Sequence, residues 1–161
     1  LMHRVLDRVG AGDVLVIDAM GYEDGGILGD VICARLKVLG VAGVVCHGAM
    51  RDVAEISALG LKLFCRTPSP PPSFVSLMLQ EMDVPVACGG VTVFPGDAIV
   101  ADTDGVAGCP AHLADAVLPA AAEQDEVEAY IRGRVLAGEK LKGLYPPNPE
   151  TIAAFRAARG R

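Results

Sequence analysis

The chain has no tryptophan, three tyrosines and four phenylalanines, so aromatic residues make up only 4% of it. Its 52% hydrophobic content therefore comes from Ala, Val, Leu and Ile, and with 21% charged residues this reads as a soluble packed domain, not a disordered chain. Long apolar runs are also missing. Val14 to Ile17 and Val41 to Cys46 fall far short of the roughly 20 residues that a membrane-spanning helix needs.

There is no excess of positive charge either: 14 Lys and Arg stand against 20 Asp and Glu, for a net charge of -6. An acidic chain without a contiguous basic stripe is a poor partner for phosphate backbones, which disfavours nucleic-acid binding. The five cysteines (Cys33, Cys46, Cys65, Cys88 and Cys109) are odd in number and form no CxxC pair, and no secretion signal is evident. Such usage fits a reducing cytoplasm with the thiols as small core residues. At 161 residues a single domain is the expectation.

Organisation along the chain is set by short apolar runs and glycine stops. Val14 to Ile17 reads as a buried strand, followed by a loop over Gly21 to Gly26. From Leu28 the apolar residues Leu28, Val31, Ile32, Leu36 and Leu39 recur at helical spacing until Gly40 closes the helix. Val41 to Cys46 is the next strand, and strand, helix, strand with short links predicts a parallel βαβ unit. A second short helix follows over Asp52 to Leu59, then a strand over Leu61 to Cys65, then a proline-rich loop over Thr67 to Ser73 that is a candidate lid.

Val84 to Val93 is strand-like with a break at Gly89-Gly90, and turns at Phe94 to Asp97 and at Asp102 to Gly105 predict a β-meander ending near Cys109. A long Ala-rich helix is predicted from Leu113 to about Leu136, stopped by Gly138, with Pro119 as a kink or restart. The chain thus divides into a domain over 1–138 and a tail over 139–161 with a short helix. That tail reads either as a strap packing on a neighbouring subunit or as disordered.

The residues most able to carry chemistry lie between Gly25 and Glu55. Gly25-Gly-Ile-Leu-Gly-Asp30 opens one helix and Gly48-Ala-Met-Arg-Asp52-Val-Ala-Glu55 opens the next, and both follow strands. Loops at the carboxyl ends of neighbouring parallel strands converge, which is where open α/β sheets bind ligands. Asp30, Arg51, Asp52 and Glu55 can therefore meet in one crevice, with amides of Gly26 to Gly29 as donors for a carboxylate or phosphate. A plain structural alternative exists for each: Asp30 as a dipole-complementing acid, and Asp52 with Glu55 as a capping box. The combination favours a ligand site, since an Arg beside an Asp offers a planar fork for a carboxylate next to a hard oxygen ligand for Mg²⁺.

Outside this stretch the signals are weaker. Asp97, Asp102 and Asp104 fall in hairpin turns and read as turn residues before metal ligands. His47 lies at a strand end near the crevice, and Arg66 follows a strand and can approach the same mouth.

The segments Leu28-Gly-Asp30, Gly40-Val-Ala-Gly-Val-Val45, Gly48-Ala-Met-Arg-Asp52, Val86-Ala-Cys-Gly-Gly-Val-Thr-Val-Phe-Pro-Gly-Asp97 and Asp104-Gly-Val106, in this order, resemble the RraA-like family. That family contains the divalent-metal-dependent 4-hydroxy-4-methyl-2-oxoglutarate aldolases, which also decarboxylate oxaloacetate, and the regulator of ribonuclease activity A. The resemblance covers about Val9 to Arg134. Because members carry additional helix before this point, and the chain starts at Leu1, a truncated N-terminus is expected.

The resemblance implies a swivelling β/β/α domain of the α/β class, assembled as a homotrimer or dimer of trimers with sites near subunit interfaces. It implies Asp52 as the direct ligand of Mg²⁺ or Mn²⁺, with Asp30 and Glu55 acting through waters and Asp30 also aiding proton exchange. Arg51 would bind the 2-oxo acid, together with Gly26, Ile27, Leu28 and Gly29. An acid three residues after the Arg-Asp pair marks the aldolases and is lacking in the ribonuclease regulator; Glu55 occupies that place. A further acid from a neighbouring subunit is implied, which the sequence does not place among Glu123, Asp125, Glu126 and Glu128.

The expectation is thus a cytoplasmic metal-dependent carbon–carbon lyase acting on a small 2-oxo acid through an enolate. A non-catalytic ribonuclease regulator and a sibling sugar-acid dehydratase are the alternatives.

Overall fold

The structure is a computed structural model, and it describes residues 2–160. Its elements fall into two compact units, one running to Ala111 and the other from His112 onward.

In the first unit a short helix α1 (Met2–Leu6) precedes β1 (Val14–Asp18), α2 (Asp30–Val38), β2 (Gly43–Met50), α3 (Val53–Ala58) and β3 (Lys62–Pro68). The three strands form a parallel sheet in the order β1-β2-β3. Registers such as Val16 with Val45 and Val45 with Phe64 bring the predicted apolar runs side by side. Cys33, Leu36, Val44, Met50 and Ile56 are fully buried and join Leu28, Val41, Cys46 and Leu61 in one core. That core glues α2 and α3 to the sheet, as the βαβ pattern requires.

Two boundaries differ from the sequence expectation. α2 begins at Asp30, not Leu28; Leu28 is buried from an extended stretch ahead of the helix. β2 continues past Cys46 to Met50, because the ladder with β3 resumes after an irregularity between Cys46 and Ala49, pairing Ala49 with Thr67 and Met50 with Pro68.

The second half of this unit forms two separate hairpins, not a continuous meander: β4 (Val86–Cys88) with β5 (Val91–Val93), and β6 (Ala98–Ala101) with β7 (Val106–Cys109). Gly89 and Gly90 have φ of 61° and 85°, the positive values that a two-residue hairpin turn of matching twist needs. The hairpin aspartates bind locally: Asp97 accepts from the Phe94 and Ala111 amides at 2.9 and 3.0 Å, and Asp102 from the Asp104 amide at 2.8 Å.

The second unit holds α4 (Ala111–Leu136, whose first residue belongs to the preceding unit) and α5 (Pro149–Arg159). α4 carries Pro119 within it and ends in a Schellman arrangement, where the Glu139 and Gly138 amides donate to the Arg134 and Val135 carbonyls. The segment after Gly138 folds back on its own chain: Leu144 and Phe155 pack with Val127 and Ile131, and Phe155 meets the Tyr130 ring edge-on at 5.7 Å. Asn148 caps α5, its side chain accepting from the Thr151 amide at 2.8 Å, with Pro149 in the first turn. Among the described residues no helix is long and apolar enough to cross a membrane.

Candidate functional site

β1, β2 and β3 are parallel, so the chain leaves all three at one edge of the sheet. The loops that follow are laced together by main-chain hydrogen bonds. The Gly26 amide donates to the Pro71 carbonyl at 2.7 Å, and the Ser73 amide returns to the Gly26 carbonyl at 3.2 Å. The Ile27 amide donates to the Ala49 carbonyl at 2.9 Å, the Arg51 amide to the Leu28 carbonyl at 3.1 Å, and the Ser69 amide to the Met50 carbonyl at 2.8 Å. The proline-rich segment is therefore tied down at Ser69, Pro71 and Ser73, although Phe74 and Val75 just beyond it are exposed.

This lacing brings Asp30, Arg51 and Asp52 together. Asp52 precedes α3 as its N-cap residue with φ 57° and ψ 38°, a left-handed conformation that Asp tolerates better than most residues. Its carboxylate caps none of the α3 amides. Instead Asp52 Oδ2 accepts from the Asp30 amide at 3.3 Å, at the start of α2, and lies 3.7 Å from Arg51 Nη1. The capping-box alternative for Asp52 is thus not what the structure holds. The side chains of Arg51 and Asp52 are 41% and 34% exposed, which leaves both open to a ligand.

Asp30 turns its own Oδ1 to the Val31 amide at 2.8 Å, and Glu55 stands in the first turn of α3. The two acids line a shallow hollow of about 240 Å³ together with Val31, Ala34 and Leu59. Of the loop amides, Gly26 and Ile27 are committed to main-chain carbonyls, whereas Leu28 and Gly29 donate to no acceptor among the described residues. Those two are the donors left for an anion.

Glycines 26 and 29 are needed here for space. A Cβ on Gly26 would lie 2.6 Å from the Arg51 amide nitrogen and 2.9 Å from the Ser69 carbonyl oxygen. On Gly29 it would lie 2.6 Å from Asp52 Oδ2 and 2.8 Å from Arg51 Nε. The sequence pattern marks these glycines as a turn and anion loop; their contact role depends on Arg51, Asp52 and Ser69, which come across from neighbouring loops.

His47 sits opposite Asp18 in the sheet register, its Nδ1 3.8 Å from Asp18 Oδ1 and without a hydrogen-bond partner among the described residues. Asp18 is occupied elsewhere, accepting from the Met20 amide at 2.8 Å and the Ala87 amide at 3.2 Å. Arg66 is paired with Glu23 of the first loop. Burial pushes the Cys33 thiol up to about 11, helped by the charges of Asp30 and Asp52, and pushes Cys46 up to about 12. Both are therefore neutral packing groups and poor nucleophiles.

Among the described residues, no three of His, Cys, Asp and Glu gather into a preformed metal cage. The donor set fits a different kind of site. Mg²⁺ commonly takes one or two carboxylates and keeps several waters; Asp52 offers one partly exposed carboxylate, and Asp30 and Glu55 line a hollow of their own.

A mixed α/β domain with a carboxylate and a guanidinium at the open edge of its parallel sheet defines the class. The family described as RraA-like (Aldolase/RraA) matches residues 1–107, and the chain belongs to it. It is 39% identical over 130 residues to a Halalkalibacterium halodurans protein provisionally named 4-hydroxy-4-methyl-2-oxoglutarate aldolase, an alignment covering 78% of this chain and 61% of that one. A Deinococcus radiodurans protein with the same provisional name is 41% identical over 109 residues, or 65% of each. The chain thus spans about three fifths of the length of these curated relatives.

Among solved structures, RraAS2 of Streptomyces coelicolor, described as an unusual member of the RNase ES inhibitor RraA protein family, superposes with a TM-score of 0.74 at 36% identity, covering 83% of this chain and 68% of that one. The RNA-processing inhibitor RraA from Thermus thermophilis gives 0.61 at 37% identity, covering 66% and 65%.

Proposed function

We propose that the chain is a divalent-metal-dependent carbon–carbon lyase that acts on a small 2-oxo acid, such as 4-hydroxy-4-methyl-2-oxoglutarate or oxaloacetate. The observation that carries this reading is the Asp52 carboxylate, withheld from its own helix and set beside Arg51 at the start of α2. The relatives named as aldolases support it.

In this reading Arg51 binds the substrate carboxylate through its planar fork, and the free amides of Leu28 and Gly29 add donors. Asp52 would hold Mg²⁺ or Mn²⁺ directly, with Asp30 and Glu55 through waters, and the bound ion would supply Lewis-acid stabilisation of the enolate. Arg51 adds fixed positive charge where negative charge develops as the bond breaks. Asp30 orients the water that exchanges a proton with the enolate carbon. The four lysines, Lys37, Lys62, Lys140 and Lys142, all lie outside these loops, so the chain offers no amine for a Schiff base there. The assembly proposed is a homotrimer or dimer of trimers in the cytoplasm.

The test is pyruvate release from both acids, with Mg²⁺ and with EDTA, corrected for decarboxylation by the metal alone. Turnover that vanishes with EDTA and in Arg51→Ala supports the lyase; a folded protein that binds Mg²⁺ but releases no pyruvate sinks it.

A second reading, a regulator that binds a ribonuclease, is favoured by the likeness to the Thermus inhibitor and to the Streptomyces member of the inhibitor family above. Glu55, the acid three residues after Asp52, speaks for the enzyme. Ribonuclease inhibition by a protein without lyase activity would decide for the regulator.

A further inference from the structure

Gly29 has φ -120° and ψ -178°, an extended backbone that any residue adopts. Its missing side chain is therefore not a matter of conformation. What a Cβ would meet there is specific: Asp52 Oδ2 at 2.6 Å, and Arg51 Nε and Nη2 at 2.8 Å each. Among the described residues no other pair of side chains in the crevice rests on one glycine in this way at such distances.

The atoms concerned are the working ends of two flexible side chains. At Gly26, by contrast, the obstacles are the Arg51 amide nitrogen and the Ser69 carbonyl oxygen, which belong to the main chain and cannot step aside. A methyl group at position 29 is accommodated by moving the guanidinium and the carboxylate, leaving the fold in place. The same methyl group at 26 strains the fold.

We propose that Gly29 is a positioning residue: the bare Cα is the floor on which Arg51 and Asp52 are seated together, so that position 29 sets the geometry of the pair. The proposal deepens the lyase reading above and rests on it for its consequence in turnover. Gly29 is also the N-cap of α2 and caps it with no side chain. A cap role and a seating role make opposite forecasts for serine, which is a better N-cap than alanine and carries the same Cβ.

The experiment compares Gly29→Ala and Gly29→Ser with the wild-type chain. Three quantities are measured: the thermal unfolding midpoint, kcat/KM for oxaloacetate with Mg²⁺, and the arginine ¹⁵Nε–Hε NMR signal of Arg51, identified by its loss in Arg51→Lys. Seating predicts that Gly29→Ser unfolds at a higher temperature than Gly29→Ala, yet both shift the Arg51 signal and lose about 100-fold in kcat/KM, the scale of a misplacement near 1 Å. Turnover restored in Gly29→Ser along with the midpoint would overturn the proposal in favour of capping, as would an Arg51 signal unmoved in both variants. If the wild-type chain releases no pyruvate at all, the lyase reading fails separately. The Arg51 signal then decides the seating alone, a shift supporting it and no shift overturning it.

Discussion

Asp52 and Asp30 are joined across two helix starts: the Asp52 carboxylate accepts the Asp30 amide at 3.3 Å, while the amides of its own helix go without it. The helix that gives up a cap is α3, and the helix that gains a negative charge at its positive end is α2. The carboxylate is directed away from its own helix, to the side where Arg51 lies.

Replacing Asp52 separates the two consequences of this arrangement. On the lyase reading, Asp52→Ala and Asp52→Gly are both expected to abolish metal-dependent turnover, checked by pyruvate release with Mg²⁺. Alanine at φ 57° incurs a left-handed penalty that glycine escapes, so Asp52→Gly is the more stable of the two by about 1 kcal/mol, read from urea unfolding.

Arg51 donates from a planar fork, and an ammonium does not reproduce it. On the lyase reading, Arg51→Lys is expected to raise KM for oxaloacetate about 10- to 100-fold, the range for losing a charge-assisted hydrogen bond. Steady-state kinetics at saturating Mg²⁺ checks this, and a lysine variant with unchanged KM removes Arg51 from the substrate.

Gly26→Ala places a methyl group against main-chain atoms at 2.6 and 2.9 Å. The expected loss of stability is about 1 to 3 kcal/mol, as for overpacking in a rigid surround. Thermal unfolding is the measurement, and a midpoint equal to wild type contradicts the close approach.

Cys33 and Cys46 are held neutral by burial, at about 11 and about 12 against an ordinary 9.0. The unfolded chain sheds these protons first as the pH climbs. The stability they contribute is therefore complete below about pH 9 and lost as the pH rises through about 11 to 12. Unfolding midpoints across that window should fall, and iodoacetamide at pH 8 should leave both thiols unlabelled in the folded chain.

Asn148 caps α5 with its side chain, accepting from the Thr151 amide. Asn148→Ala should cost about 1 kcal/mol and speed hydrogen exchange in the first turn of that helix. Exchange unchanged at Thr151 contradicts the cap.

The βαβαβ half was legible because β1 and β2 carry β-branched runs, β3 carries the apolar Leu63-Phe-Cys65, and both helices are followed by a glycine stop. Asp30, Arg51 and Asp52 could be grouped from topology alone, since loops after parallel strands converge. Finer features were not legible, for physical reasons. Leu28 belongs to the apolar period of α2 yet is buried from outside the helix, because Gly29 ahead of Asp30 is extended. His47 and Gly48 interrupt the apolar run of β2, but main-chain pairing with β3 resumes beyond them. The direction of the Asp52 side chain depends on the sign of one φ angle, and both signs are open to aspartate. Which loop amides stay free depends on bonds to Pro71 and Ala49, residues on other loops and strands.

The stitching of Gly26 to Pro71 and Ser73, of Ile27 to Ala49 and of Leu28 to Arg51 is made of peptide groups. Peptide groups are common to every residue, so apart from Gly26, where a Cβ would collide with the main chain, these bonds do not themselves require particular side chains. Mutations at an exposed position such as Pro71 that keep the chain path can accumulate over a lineage while the crevice keeps its shape. The vocabulary of reactive side chains is then free to be rewritten on an inherited frame, one chemistry exchanged for another without the loops having to be invented again.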